Sequence, residues 1–503
     1  MTHKFVDLRK DGKHTHLYDA IDGKKVREVL WGDWLTIDGP PSQGWQKVIW
    51  SPNNPRYRRE LFIPEDHLSD HRPLEIIFLD VGQGDGAVLI TPETDQDERV
   101  LVIDAGIDDN MHRFLRKRFG GYRDLHFDAA VLTHPDQDHY GGFRPIFDDP
   151  DFRFKNLYHN GLIERAVSGS FVKIGGKTRD PVARRSYVTD IRSDRNSIAA
   201  LYPQGAPIDD YEFPPLMRSA LAMQGLEFAM LSTEHGVLEH GKRYVPGFAP
   251  SDAHPYQIEI LAPVCEFDGN GDPRLRVLGS SYGKTKNGHS VILRLRYKEF
   301  SVLFGGDLNK AAEKFLLTHY AGIEGFPDKG TQDYGDMVED AAAHWRSDIM
   351  KVCHHGAADV TDAFLETVNP ACFIISSGDE EGHVHPRPDL LGRLGRFGRG
   401  KAPVLLSTEL QRSSREKEDE KIVDRIRRTI EKTGNGLTEN QQEKLRDDVT
   451  KLARVNVDVY GAIYLKSDGE RLITAFKIEQ PSMNKRWFWF EYRFDSRGRL
   501  SVV

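Results

Sequence analysis

Cysteine is nearly missing from this chain. Cys265, Cys353 and Cys372 are the three in 503 residues, and no two of them form a CxxC pair. That excludes both a disulfide framework and a thiolate zinc site. No window approaches the apolar length that spans a bilayer, and the opening stretch "MTHKFVDLRKDGKHTHLYDA" lacks the apolar core of a signal peptide. A cytoplasmic protein with no membrane partner is therefore expected. Positive charge is not in excess either: the formal net charge is −8. A surface coated in basic residues for nucleic acid is excluded, and a local basic groove is not. There is no internal repeat, no low-complexity tract and no G-x-S-x-G elbow for a serine nucleophile.

Histidine, by contrast, is plentiful, with 20 residues, beside 45 glycines and 26 prolines. The composition is that of a loop-rich globular protein, and its length calls for two or three domains. Residues 1–72 read as a small β unit. "VREVLWGDWLTIDG", "GWQKVIWS" and "RELFIPEDHL" are short, partly alternating runs cut by Gly, Pro and Asn turns. Their spacing resembles a bacterial SH3-like barrel. Trp31, Trp34, Trp45 and Trp50 would mostly form its core, or else bind a protein partner.

Residues 73–408 have a different texture. "LEIIFLD", "GAVLIT", "RVLVIDAG" and "DAAVLTH" are near-continuous apolar strands, and "MHRFLRKRFG" is a helix ended by glycine. Residues from about 150 to 255 look like an insertion, locally basic around 168–195. Strands resume at "QIEILAP", "SVILRLRY", "FSVLFGGD", "DIMKVCHHG" and "ACFIISSG". Residues 409–503 begin as a highly charged helical segment and end in a hairpin and a further strand.

The stretch carrying most chemistry is "VLTHPDQDHYGGF", residues 131–143. An apolar strand ends at Thr133, and His134, Asp136, Asp138 and His139 follow within six positions. Imidazole nitrogens and carboxylate oxygens launched from one rigid strand can converge on a cation at about 2.0–2.2 Å. Two aspartates this close repel unless a cation or a proton lies between them. Other His and Asp residues sit at later strand ends: His289 before "VILRLRY", Asp307 after "VLFGG", His354 and His355 after "KVC", and His383 and His385 after "FIISSGDEEG".

Taken in order, "FLDVGQGD", "LVIDAG", "THPDQDH", "NGHSVILRL", "VLFGGDL", "KVCHHGA" and "HVHP" resemble a metallo-β-lactamase-fold hydrolase. In particular the set is similar to the domain attached to the ComEC DNA-uptake channel. The resemblance implies an α/β (α+β) fold, a four-layer αββα sandwich with metals at one edge. It implies that His134 and Asp136 bind a first metal, Asp138 and His139 a second, and that Asp307 bridges, with His385 as the late metal-binding histidine. His355 matches an element that contacts phosphate or protonates a leaving group, so Asp138 and His355 are the expected catalytic pair. Asp104 and Asp85 would support the site, with His354 beside it. His289 stands either as a ligand or as a structural histidine. "HHG" is followed here by Ala357, where relatives usually carry Ser.

The function expected from this set is metal-dependent hydrolysis with two divalent ions, Zn or Mn rather than Mg, because the extra carboxylate favours harder ions without excluding zinc. The leading substrate is a phosphodiester in DNA or RNA. The alternatives are a small-molecule hydrolase acting on an amide, thioester or cyclic nucleotide, and a non-catalytic metal-containing binding protein. Arg393, Arg396, Arg399 and Lys401 follow His385 and suit either a phosphate groove or a solvated helix face.

Overall fold

The apolar runs become strands buried on both faces because each lies between a layer of helices and a second sheet. The computed structural model describes residues 3–378 apart from 54–55 and 95–96, then 385–408, 422–431 apart from 424, 437–452, and 462–503 apart from 479–481 and 483–484. His383 and the start of the charged segment, 409–421, lie outside the described residues. Among the described residues no helix is long and apolar enough to cross a membrane.

A ten-stranded sheet runs, edge to edge, through Glu227–Met230, Arg153–His159, His126–Leu132, Val100–Ala105, Gly86–Ile90, Leu74–Phe78 and then the four C-terminal strands from Ile463 to Val502. An eight-stranded sheet faces it, built around Tyr256–Ala262, Ile292–Tyr297, Phe300–Phe304, Ile349–Lys351, Cys372–Ile375 and Val404–Ser407. The period of two in a strand sorts the side chains. Leu101 and Ile103 point into the core between the sheets, together with Leu293, Val302, Phe304 and Ile374. Val100 and Val102 point the other way, onto Met111, Phe114 and Leu115 of the helix Asn110–Phe119. Outside the eight-stranded sheet, Leu303, Met350 and Phe373 pack on Leu316, Trp345, Phe364 and Leu390 from four helices. The layers are thus helix, sheet, sheet, helix.

Each sheet contains a parallel run. His126–Leu132 pairs in parallel with both Val100–Ala105 and Arg153–His159. Ile349–Lys351 likewise pairs in parallel with Phe300–Phe304 and Cys372–Ile375. Parallel strands end together at one edge, which is where side chains from distant segments can meet.

Three expectations change here. The span 150–255 is not an insertion as a whole, since Arg153–His159 and Glu227–Met230 are strands of the main sheet. What stands apart is a four-stranded sheet combining Thr178–Asp180 and Arg185–Val188 with Pro273–Arg276 and Glu266–Phe267. The N-terminal sheet is not closed into a barrel. Its seven strands lie with Lys25–Val29 and Leu68–Ser69 at opposite edges, and these two do not pair with each other. Its buried core is aliphatic, formed by Val6, Leu17, Val29, Leu35, Val48, Leu61 and Ile63, with Trp50 packed against it. Trp31 instead packs with Leu8 and Leu30 on Ile473, Ala475 and Trp487 of the C-terminal strands. An alternating pattern marks which face is apolar, and it does not name the surface that will cover it.

Candidate metal centre

Asp104 begins the construction. It lies near the end of its strand at φ 54, a left-handed conformation that aspartate tolerates better than most residues. Its carboxylate accepts from the Thr133 backbone N–H at 2.9 Å, the Thr133 hydroxyl at 2.7 Å and His139 Nδ1–H at 2.8 Å. The last bond fixes the tautomer of His139, so its Nε2 presents a lone pair to the site. The loop 82–85 closes over the back of the histidine loop. Gly84 has φ +105, and a Cβ placed there would lie 1.6 Å from the Asp138 carbonyl oxygen, an approach only glycine allows. Asp85 N–H donates to that same Asp138 oxygen at 3.2 Å.

His355 arrives from the other sheet, in a turn that also holds His354 at positive φ. Its Nδ1 faces Asp85 Oδ1 at 3.1 Å and the Ser376 carbonyl at 3.2 Å, both acceptors, so Nδ1 carries the proton. Its Nε2 is 3.3 Å from Asp138 Oδ2, 3.3 Å from Asp307 Oδ2 and 3.3 Å from His139 Nε2. His139 Nε2 is in turn 3.3 Å from Asp307 Oδ1. Four ligands on a tetrahedron at 2.0–2.1 Å from a cation stand roughly 3.3–3.4 Å apart along its edges. The spacing of these donors is that of a first coordination sphere, and the residues fit a divalent cation.

The charge balance agrees. Asp85, Asp104, Asp136, Asp138 and Asp307 gather here, while Lys351 pairs with Asp85 and Lys286 with Asp136. The excess is negative in a place where His134 and His139 are fully buried, and such an excess requires a counter-charge. In the metal-free protein the imidazoles supply it. Burial alone would lower His139 and His355, yet Asp307 and its carboxylate neighbours hold both rings well above the ordinary histidine value. Burial would raise Asp307, and His355 and His139 hold it well below the usual carboxylate range. For His134 the balance is reversed: burial, with His139 adding to it, pushes it well below, although Asp307 and Asp138 pull the other way.

Asp85, His139, Asp307 and His355 offer donor atoms all within 4.8 Å of one another. Within that group Asp85 faces the Nδ1 of His355 and so acts behind the ring, whereas Asp138 faces the Nε2 side. The inner set is therefore His139, Asp307 and His355, with Asp138 joining them at His355 Nε2. His385 is not among the four residues of that 4.8 Å group; its ring lies 6.2 Å from that of His354. His354 reaches to 3.9 Å from Asp307 Oδ2 at the exposed rim. His289 stands apart, its Nε2–H donating to the Arg276 carbonyl at 2.6 Å. His134 lies beside His139, ring centroids 4.1 Å apart, with Nε2 3.8 Å from Asp136 Oδ2. The N-cap of the helix after Asp307 is Asn309, whose side chain accepts from Ala311 and Ala312 N–H, leaving the Asp307 carboxylate to the site.

Several site residues carry no sequence signal of the kind used above. Lys351 is a buried lysine in an otherwise apolar strand, a combination that marks an internal ion pair. Lys286 is held by Asp136 at 2.9 Å and Glu164 at 3.3 Å, and Tyr282 O–H donates to the same Glu164. Ser290 Oγ touches His134 Nδ1 at 3.2 Å and accepts from Asp307 N–H at 3.1 Å. Behind the centre a cavity of about 20 Å³ lies between the sheets, bordered by Asp85, Asp104, Thr133, Lys351 and Ser376; that is room for one water among polar partners. Two of the arginines after His385 are engaged elsewhere: Arg393 binds Asp362 and the Val360 carbonyl, and Arg399 binds Asp348.

Residues 87–153 match the family model of the metallo-beta-lactamase superfamily. That stretch contains the histidine loop and Asp104, and the later strands supply Asp307 and His355. No curated protein matches the chain.

Proposed function

We propose that the protein is a metal-dependent phosphodiesterase acting on nucleic acid. The observation that carries the hydrolase reading is the inner donor set, with both histidine tautomers fixed from behind by Asp104, Asp85 and Ser376. Two nitrogens and two carboxylates suit Zn²⁺ or Mn²⁺. When bound, such a cation supplies Lewis acidity and an activated water at neutral pH.

The chain's own groups do the rest. Asp138, partly exposed, sits at the mouth and orients a water or a substrate oxygen there. His354, at the rim beside Asp307, is placed to hand a proton to a departing oxygen. Lys286 holds positive charge against the same mouth. Beside it, Phe171, in the short helical turn before the four-stranded sheet, packs on Tyr282, ring centroids 5.8 Å apart, and the first hairpin of that sheet with its flanking residues exposes Lys177, Arg179, Arg184 and Arg185. A cationic ridge next to a hydrolytic centre favours a polyanionic substrate over an amide or thioester. We read the open N-terminal sheet as a module that recruits a protein partner.

The test is cleavage of end-labelled single- and double-stranded DNA and RNA with Mn²⁺, Zn²⁺, Mg²⁺ or chelator, with Asp138→Ala alongside. Metal-dependent cutting that disappears in the variant, and binding that weakens steeply with salt, are expected. Hydrolysis of a neutral small ester or amide with no effect of polyanion competitors would refute the substrate class.

A further inference from the structure

The fold's usual pair of metal positions is not matched by the donors present. Beside the inner set, a second position would draw on His134, Asp136 and the shared Asp307. A stable site needs three or four donors free to face the ion. His134 Nε2 is buried and without a hydrogen bond, so it qualifies. Asp136 does not. Its Oδ1 accepts from Lys286 Nζ at 2.9 Å, and with the Asn287 amide nitrogen turned toward it, its Oδ2 accepts from Asn287 at 3.1 Å. The residue that could complete the site, Ser290, has its hydroxyl on the far nitrogen of His134 and on the Asn287 carbonyl at 2.7 Å. His289, its neighbour, faces the Arg276 carbonyl instead.

We infer that this centre holds one cation, and that the Lys286 ammonium provides the positive charge that a second ion would supply. The inference rests on the metal-centre reading above and refines it. Lys286 is anchored from the other side by Glu164 at 3.3 Å, and that carboxylate also accepts from the Tyr282 hydroxyl. The ammonium is therefore fixed rather than mobile, and it borders the side of the site where Asp136 and Asp138 reach solvent. Its chemical preference is an anionic oxygen of the substrate, bound by charge and hydrogen bonds without loss of a water shell from a second ion.

Metal content decides the matter without any assay of activity. The full chain is loaded with excess Mn²⁺ or Zn²⁺, desalted, and metal per chain is measured by plasma mass spectrometry. One equivalent is expected in the wild type, near zero in Asp138→Asn, and still one in His134→Gln. Two equivalents in the wild type, with the second lost in His134→Gln, would overturn the inference. No bound metal in the wild type would overturn the metal-centre reading itself, a distinguishable failure. Lys286→Ala frees Asp136 Oδ1, and the metal count is expected to rise toward two at high metal; a count that stays at one would show that the lysine is not what displaces the second ion. Should His134→Gln fail to fold, Asp136→Asn carries the same expectation of one equivalent.

Discussion

Asp104→Asn isolates what the carboxylate behind His139 contributes. Asparagine has nearly the same shape and tolerates φ 54, so the backbone is not disturbed. Asp104 Oδ1 accepts from Thr133 N–H, while Oδ2 accepts from Thr133 Oγ1 and His139 Nδ1. An amide nitrogen in the first place would face a backbone donor. In the second place it would face His139 Nδ1–H, and the ring could relieve the clash only by moving its proton to Nε2, the atom aimed at the cation. Either way the ligand is mis-set. Loss of such a supporting partner weakens metal affinity by about 10–100-fold, or roughly 1.4–2.7 kcal/mol. The assay is Zn²⁺ or Mn²⁺ affinity by competition with a chelator of known strength, on variant protein shown by circular dichroism to be folded. A variant whose affinity stays within about twofold of wild type would refute the claim that Asp104 sets the His139 tautomer.

Glu313 gives a pH signature away from the ligands. It is buried on the helix Lys310–Tyr320, and burial pushes its carboxyl up to about 8, although the Thr361 N–H it accepts pulls the other way. A folded-state value above the unfolded one means stability that is complete below about 4.5 and is lost as pH rises through about 8. The melting temperature of Glu313→Gln minus that of wild type should therefore grow between pH 5 and 9; a constant difference would contradict it. Gly84→Ala places a Cβ against the Asp138 carbonyl at a positive φ and should lower stability by more than the ~1–3 kcal/mol of backbone strain alone. Gly12→Ala, equally at positive φ but with open space around it, should show the strain only, and equal losses in the two would sink the argument. Lys351→Met leaves Asp85 buried without its cation and should cost about 3–5 kcal/mol in denaturant unfolding. The double variant Lys351→Met/Asp85→Asn should recover a part of that, and strict additivity would show that the two groups do not act as a pair.

The sequence by itself determined the strands and the presence of a cation-binding loop. Apolar runs ending in Asp104, Thr133, Asp307 and the His354–His355 pair are legible because a buried strand must be apolar and its polar terminus must then have a purpose. The H-x-D-x-D-H spacing is local, so the chain fixes it without help. Tertiary structure decided everything that depends on which strand ends meet. His355 and His385 look alike in sequence, both being histidines just beyond an apolar strand. His355 comes within 3.3 Å of Asp138, Asp307 and His139, a residue 216 positions away, whereas the His385 ring is placed 6.2 Å from that of His354. The fold also turned His289 toward a carbonyl and sent Lys286 to Asp136. Sheet order and the packing of two faces set these distances, and neither quantity is written in the spacing of residues along one chain.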